Sequence, residues 1–351
     1  MSRPLIGRLM DGPLDVIGDV HGEIGPLNEL LARLGYDENG VHPAGRHLVF
    51  VGDLCDRGPD SPAVIELVRS LVDQRLAQCL LGNHELNILR GVGKSGNRWF
   101  IQPTHREQQP GGEFEHCRVA PETLKSPWLK FFASLPLALV RDDLRIAHAA
   151  WVPGELDVLR LANGTTLELY HHYEARTLKQ LDVEGVLRTA EQEGARWKRL
   201  LHDRDADVPL LSAVGEIDKR YQMGSPIRVV TSGVERLAKK PFWSTGQWRM
   251  CDRVRWWEEY QEEVPVIIGH YWRQAAPIAS DHAASKPELF DDEAPTDWIG
   301  ARSNVFCVDF SIGARYQERK AGVQQFGTHL AAMRWPEREL WFETGKVTAA
   351  S

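Results

Sequence analysis

Six short apolar runs, each cut off at once by a polar residue, constrain the fold of this chain more than any other feature. Val16-Ile17 runs into Gly18-Asp19, Leu48-Val49-Phe50-Val51 into Gly52-Asp53, and Cys79-Leu80-Leu81 into Gly82-Asn83-His84. Further on, Leu144-Arg145-Ile146-Ala147 precedes His148, Val266-Ile267-Ile268 precedes Gly269-His270, and Val305-Phe306-Cys307-Val308 precedes Asp309. Runs this short, bounded by turn residues, read as buried strands. Helical patterns separate the early ones. Pro26 to Leu34 places Leu27, Leu30, Leu31 and Leu34 on one face, and Ser61 to Leu76 opens with Ser61 as N-cap and Pro62 at the first helical position. The alternation predicts an α/β fold with buried sheets. In such sheets ligands gather beyond the carboxyl ends of the strands, so the polar residues at these six ends are expected to converge.

The 351 residues suffice for one large domain, and the chain reads as a single domain over 1–351. Residues 155–225 are polar, helical in pattern and poor in strand signals, which predicts a helical insertion or cap. Residues 280–302 read as a long loop, and His329 to Thr344 as a closing hairpin around Pro336-Glu337. A net charge of −7 argues against a partner such as a long nucleic-acid duplex, but leaves room for a small anionic substrate in a locally basic pocket. The five cysteines are scattered, odd in number and without a C-x-x-C pair, so no disulfide framework is expected and the cytoplasm is the expected location. Pro4 and Gly7 interrupt the first apolar stretch, so no signal peptide is expected. No run of about 18 apolar residues predicts a membrane span.

The residues at the strand ends carry recognisable chemistry. Asp19 and His21 lie two apart, so on extended backbone they face the same way and can share one metal ion. The two carboxylate oxygens of Asp53 can bridge two ions, Asn83 offers an amide oxygen, and His148 and His270 offer imidazoles. Mixed nitrogen and oxygen ligation without thiolate suits Mn first, with Fe, Zn or Ni as alternatives. Two such ions, about 3.5–4 Å apart, activate a water and neutralise phosphoryl charge. His84 is then free to protonate a leaving oxygen, with Asp56 holding its other ring nitrogen, and Arg57 offers a planar fork to phosphate oxygens. A lone Asp or His at a strand end is most often a turn residue or a satisfied polar group. Five polar motifs in order after five strands make a concerted site the better account.

Three blocks carry a family resemblance: Gly18-Asp19-Val20-His21-Gly22, Gly52-Asp53-Leu54-Cys55-Asp56-Arg57-Gly58 and Gly82-Asn83-His84-Glu85. Together with Ala147-His148-Ala149 and Gly269-His270 they resemble the phosphoprotein-phosphatase branch of the calcineurin-like metallophosphoesterases. That branch includes Ser/Thr protein phosphatases, diadenosine tetraphosphatases and the phosphatase module of bacterial RNA-repair enzymes. The resemblance implies two facing mixed β-sheets flanked by helices, a four-layer sandwich with the dinuclear site at one end. It implies Asp19, His21 and Asp53 around a first divalent metal ion, and Asp53, Asn83, His148 and His270 around a second. It implies His84 with Asp56 as an acid dyad and Arg57 as a phosphate ligand. The branch also has a second phosphate-binding arginine between the two late histidines, and Arg249 is assigned to it here. The sequence departs from the family at Ala149-Ala150, where a glycine is usual, and at Tyr271-Trp272, which are bulky. Asp309 matches an aspartate usual near the last strand and is read as structural.

Residues 227–257 hold Arg228, Arg236, Lys239, Lys240, Arg249, Arg253 and Arg255, interleaved with Trp243, Trp248, Trp256 and Trp257. Cations beside aromatic faces suit a phosphate joined to a base. The same composition also suits an amphipathic segment packed on the core, its charges balanced by Glu258, Glu259, Glu262 and Glu263. The expected activity is hydrolysis of a phosphorylated substrate, foremost as a phosphatase of the Ser/Thr protein phosphatase type. The alternative is a nucleotide hydrolase acting on dinucleoside polyphosphates or RNA-end phosphates. A metal-binding pseudoenzyme is disfavoured by the presence of His84, Asp56 and Arg57 together.

Overall fold

The computed structural model describes residues 4–101, 116–244, 246–275, 289–290, 293–345 and 347–349. The first half of the chain runs β1 (Ile6–Arg8), β2 (Leu14–Ile17), α1 (Ile24–Leu34), β3 (His47–Phe50), α2 (Ser61–Asp73), β4 (Ala77–Cys79), α3 (Asn83–Leu89), α4 (Glu122–Ala133), β5 (Ala138–Arg141) and β6 (Leu144–Ala147). Five helices follow: α5 (Pro153–Leu161), α6 (Thr166–Val183), α7 (Val186–Trp197), α8 (Ser212–Met223) and α9 (Pro226–Ser232). The remainder is β7 (Glu235–Ser244), β8 (Gln247–Arg253), β9 (Val266–Ile268), β10 (Val305–Cys307), α10 (Arg315–Lys320), β11 (Ala331–Trp335), β12 (Glu339–Phe342) and β13 (Val347–Ala349).

Two mixed sheets result. One has the order β13-β12-β11-β2-β3-β4, the other β1-β5-β6-β9-β10. In the first, β2, β3 and β4 are parallel, and β11 returns antiparallel to β2 before turning into β12, as the expected closing hairpin. In the second, β6, β9 and β10 are parallel, and contacts among Asp19, Asp53, His84, His148, His270 and Asp309 bring the ends of all six recognised runs to the same side of the molecule. The period of two in these strands explains the layering. Leu14, Val16, Val49 and Val51 of one sheet meet Leu139, Leu144, Ile146, Ile267 and Phe306 of the other in a shared core. Their neighbours Ile17, Leu48 and Phe50 point the opposite way and pack with Leu27, Leu30 and Leu31 of α1 and Val64, Ile65 and Val68 of α2. The central strands of the sheets are therefore largely buried on both faces, which is why their runs are mostly apolar, with Asp15 and Arg145 as the polar exceptions in β2 and β6.

The start of α2 differs from expectation. Asp60, not Ser61, is the N-cap, and its Oδ1 accepts from the Ala63 amide at 2.9 Å. Ser61 is instead the first helical residue, and its hydroxyl oxygen accepts from the Asp56 amide at 2.9 Å. The serine is thereby diverted from capping its own helix to fixing the loop that carries Asp56 and Arg57.

Between β6 and β9 the chain builds a smaller unit. Helix α8 packs against the antiparallel pair β7–β8, and Val208, Leu211 and Met250 form its core, with Trp197, Leu201, Val214 and Trp248 around them. The tryptophan-rich segment thus divides. Trp256 and Trp257 are buried in the main core, whereas Trp243 and Trp248 belong to the β7–β8 unit. Of the stretch 280–302, residues 280–288, 291 and 292 lie outside the described residues. Among the described residues no helix is long and apolar enough to cross a membrane.

Candidate active site

The loops after the parallel strands meet at one end of the two sheets, and their backbone there is unusual. His21, Asp53, Asp56, Arg57, His270 and Trp272 all have positive φ, at 48°, 49°, 74°, 70°, 69° and 50°. Non-glycine residues seldom take this region, and each such residue costs about 1–3 kcal/mol unless its surroundings over-determine it. The chain turns so sharply at each strand end that the polar side chain is thrown back across the carboxyl edge of the sheet. Glycines make the close approaches possible. A Cβ on Gly82 would sit 2.2 Å from Asp53 Oδ1, and one on Gly269 would sit 2.1 Å from Asp19 Oδ1.

Glu85 holds the second loop in this shape. Its buried carboxylate accepts from the amides of Asp53 (2.9 Å), Leu54 (2.8 Å), Cys55 (3.3 Å) and Gly82 (3.1 Å), and from the Cys55 thiol at 3.1 Å. Burial and the neighbouring Asp53 charge push this carboxyl up, while the donors around it favour the ionised form. Sequence reasoning gave Glu85 no role. The available signal was its place three residues after Gly82 at a helix start, the position from which a Glu reaches back to the N-cap amide. Asp309 does similar work in the last loop, accepting from the amides of Trp272 at 3.1 Å and Ser311 at 2.9 Å.

The six residues expected as metal ligands are brought together, and all but Asn83 are nearly or wholly buried. His21, Asp53 and His84 form one group with ligand atoms within 4.8 Å of one another, and Asp53, His148 and His270 form another, so Asp53 is common to both. Asp19 Oδ2 lies 3.9 Å from His21 Nε2. Asn83 Oδ1 lies 3.2 Å from His148 Nε2 and 2.9 Å from His270 Nδ1. Backbone carbonyls orient two of the rings. His21 Nδ1 donates to the Cys55 carbonyl at 3.0 Å and His148 Nδ1 to that of Val51 at 2.9 Å, which turns both Nε2 atoms inward.

Electrostatics favour a cation here. Burial, with Asp309 and Asp53 nearby, pushes the Asp19 carboxyl well up. Burial and the charges of Arg57 and His84 push His21 well down, and burial with Arg253 and His148 does the same to His270, leaving neutral imidazoles. Asp53 is held well below the usual carboxylate range, because the charges of His148 and His84 outweigh its burial. His148 is pushed up to about 10 despite its burial, by Asp53 at 3.4 Å and by Asp19. Carboxylate and amide oxygens and imidazole nitrogens therefore converge in a buried cluster where the carboxylates repel one another. This donor set fits divalent metal ions of the Mn, Fe, Zn or Ni kind.

His84 stands beside this cluster. Its Nδ1 is 2.6 Å from Asp56 Oδ2, and the other Asp56 oxygen accepts from the Trp99 indole at 2.6 Å. Trp99 was not singled out from the sequence, since nothing local ties it to Asp56 across 43 residues. Arg57 lies over the Trp272 ring at 5.0 Å, with Nη1 3.2 Å from His21 Nε2. The bulky Trp272 therefore serves as a platform for the arginine.

A cavity of about 850 Å³ opens from the cluster, and Asp53, Asn83, His84 and His270 lie in its floor. The β7–β8 pair forms a wall. Arg249, Cys251 and Arg253 alternate along β8 and all line the cavity, together with Phe242 and Trp243 of β7 and Arg228 of α9. Arg249, expected as a second phosphate ligand, is in this wall. Arg253 is the arginine whose charge acts on His270, and it lies over the Tyr271 ring at 5.5 Å. Strand periodicity puts both on one face but does not say which of them sits at the metal end.

A family model described as calcineurin-like phosphoesterase matches residues 12–270. Over 142 residues the chain is 38% identical to the asymmetrical bis(5'-nucleosyl)-tetraphosphatase PrpE of Anoxybacillus flavithermus, covering 38% of this chain and 56% of that protein. The protein of the same name from Bacillus subtilis is 33% identical over 141 residues, with the same two coverages. The chain thus spans about half the length of the curated relatives it matches. Among solved structures, a putative diadenosine tetraphosphatase aligns over 97% of both chains at 15% identity and a TM-score of 0.42. A cold-active protein-tyrosine phosphatase from a Shewanella species covers 100% of this chain and 83% of its own at 15% identity and a TM-score of 0.46. With the family model matching most of its length, including every expected metal ligand and the His84–Asp56 pair, the chain belongs to the calcineurin-like phosphoesterase family.

Proposed function

We propose that this chain is a two-metal phosphoesterase that cleaves a nucleotide substrate carrying several phosphates, a dinucleoside polyphosphate foremost. Asp19, His21 and Asp53 would hold one divalent ion, and Asp53, Asn83, His148 and His270 the other. Bound there, the ions supply Lewis acidity and charge neutralisation for phosphoryl transfer to water. The chain's own groups do the rest. His84, with Nδ1 donating to Asp56, presents Nε2 to the cavity, where it can deliver a proton to the leaving oxygen. Asp56 stabilises the imidazolium, and Trp99 fixes Asp56 in place. Arg57 over Trp272 and Arg253 over Tyr271 would offer their guanidinium groups to the phosphoryl oxygens, each packed on an aromatic ring.

The observation that carries the substrate choice is the row of cations leading away from the metal end. Arg253 and Arg249 are four residues apart on one strand, a span of about 13 Å at ~3.3 Å per residue. Arg228 lines the same cavity. A single phosphate engages only the inner end of such a row, whereas a phosphate chain is met by successive cations. The walled cavity also suits a small ligand better than a protein surface loop, which needs an open groove. The name borne by the PrpE relatives supports the same choice.

The test is a turnover panel with Mn²⁺ restored to metal-stripped protein. It compares p-nitrophenyl phosphate, a phosphoserine peptide, a dinucleoside tetraphosphate and a 2′,3′-cyclic nucleotide. Highest kcat/KM on the tetraphosphate is expected. A clear preference for the phosphopeptide would overturn the substrate choice in favour of a protein phosphatase.

A further inference from the structure

The cavity contains one feature that phosphate binding does not use. Its acidic residues mostly have cationic partners: Glu174 pairs with Arg228 at 3.2 Å and Arg90 at 3.3 Å, and Glu235 stands opposite Arg253 in the β7–β8 register. Asp218 is different. It lies on α8, lines the cavity and enters no ion pair among the described residues; burial pushes its carboxyl up, and the charges of Arg249 and Arg228 act against that in favour of the ionised form. A carboxylate repels phosphate, so in this cavity it needs a hydrogen-bond donor from another part of the ligand. Tyr221 and Gln222, three and four residues further along α8, also line the cavity on this side. Trp243 lines it from β7, its ring braced by the edge of Trp248 at 5.9 Å and 79°. The outer part of the cavity, at the Arg249 end of β8 away from Arg253 and His270, thus offers an aromatic face and a carboxylate.

We infer that this outer part is a base-reading subsite, in which Trp243 stacks on the base of a nucleotide substrate and Asp218 selects guanine. The assignment rests on the nucleotide reading above. An ionised carboxylate has two acceptor oxygens and no donor. Guanine presents a ring N–H and an amino group side by side, two donors that such a carboxylate can take together, as it takes the fork of an arginine. Adenine and cytosine place a ring acceptor beside their amino donor, and that lone pair would face the carboxylate. Uracil flanks its ring N–H with two carbonyl oxygens. A paired contact to a charged group therefore separates guanine from the other bases by roughly 10-fold to 100-fold.

The experiment measures kcat/KM for diguanosine and diadenosine tetraphosphate, with p-nitrophenyl phosphate as reference, on wild type, Asp218→Asn and Trp243→Ala. Ratios are taken within one preparation, so any loss of folded protein cancels. The wild type should favour the guanine substrate by tenfold or more, and Asp218→Asn should bring the ratio near unity. Trp243→Ala should lower both dinucleotide rates about tenfold relative to p-nitrophenyl phosphate, since base stacking on an aromatic residue is worth that much. A wild type without base preference, or a preference that survives Asp218→Asn, overturns the role of Asp218 while leaving the nucleotide reading in place. A wild type that turns over p-nitrophenyl phosphate but neither dinucleotide overturns both.

Discussion

Replacing Glu85 with Gln tests how the metal end keeps its shape. The carboxylate is shared by four backbone amides, two on each oxygen: Leu54 and Cys55 on Oε1, Asp53 and Gly82 on Oε2. A glutamine keeps one oxygen and turns an NH₂ toward the other two amides. Two buried N–H groups then lose their acceptor, at about 1–3 kcal/mol each, for a total of about 2–6 kcal/mol. The loss falls on the loop that holds Asp53 at a φ of 49°, so the strained turn has less to oppose its relaxation. Two measurements check this on metal-free protein: urea unfolding, with the slope monitored to exclude a change in the unfolded ensemble, and Mn²⁺ titration by calorimetry. A lower unfolding free energy in that range and weaker binding at both sites are expected. If Glu85→Gln unfolds within about 0.5 kcal/mol of wild type and binds Mn²⁺ equally well, the carboxylate does not hold the loop and the reasoning fails.

Other perturbations separate the remaining parts. His84→Ala should cost about 10²–10⁴ in kcat on an ester with a poor leaving group and far less on p-nitrophenyl phosphate, which needs no proton; equal losses on both would remove the general-acid role. Asp53→Asn should abolish turnover and binding of both ions, read by metal analysis of the purified variant, because one side chain serves both ligand groups. Chelation should lower the melting temperature as well as activity, and 100-fold excess of metal over its Kd should restore about 2.7 kcal/mol of stability for each ion bound; an unchanged melting temperature would mean that the cluster binds no ion in the native state. Glu343 bears on acid stability. Burial pushes its carboxyl up, but hydrogen bonds with His329 and Arg315 outweigh this and hold it below its ordinary value of 4.5. Its contribution is therefore complete above pH 4.5 and lost as pH falls through the folded value, and Glu343→Gln should flatten the stability profile in that acid window and nowhere else.

The convergence of the strand-end residues was legible because the information is local. Asp19, Asp53, Asn83, His148 and His270 each follow directly on an apolar run, and a chain that buries such runs in parallel has to deliver their ends to one edge. The same locality explains the closing hairpin at β11–β12 and the helical face of α1. It also explains one small failure. Both Asp60 and Ser61 are good capping residues, and only the position of the Asp56 amide, which claims the Ser61 hydroxyl, decides between them.

What the sequence left open depends on which surfaces meet. The basic, tryptophan-rich segment has the composition of a ligand wall and of a packed amphipathic strand alike, and in the structure it lines a cavity and packs into the core. Met250 faces α8, Arg249 and Arg253 face the cavity, and Trp256 and Trp257 enter the main core. Contacts such as Trp99 to Asp56, Arg253 toward His270 and Asp218 on the cavity wall join residues far apart in the chain. Sequence periodicity sets the face of an element on which a side chain lies. What that face meets is set by how the elements dock, and docking is decided by the shared core of the whole molecule.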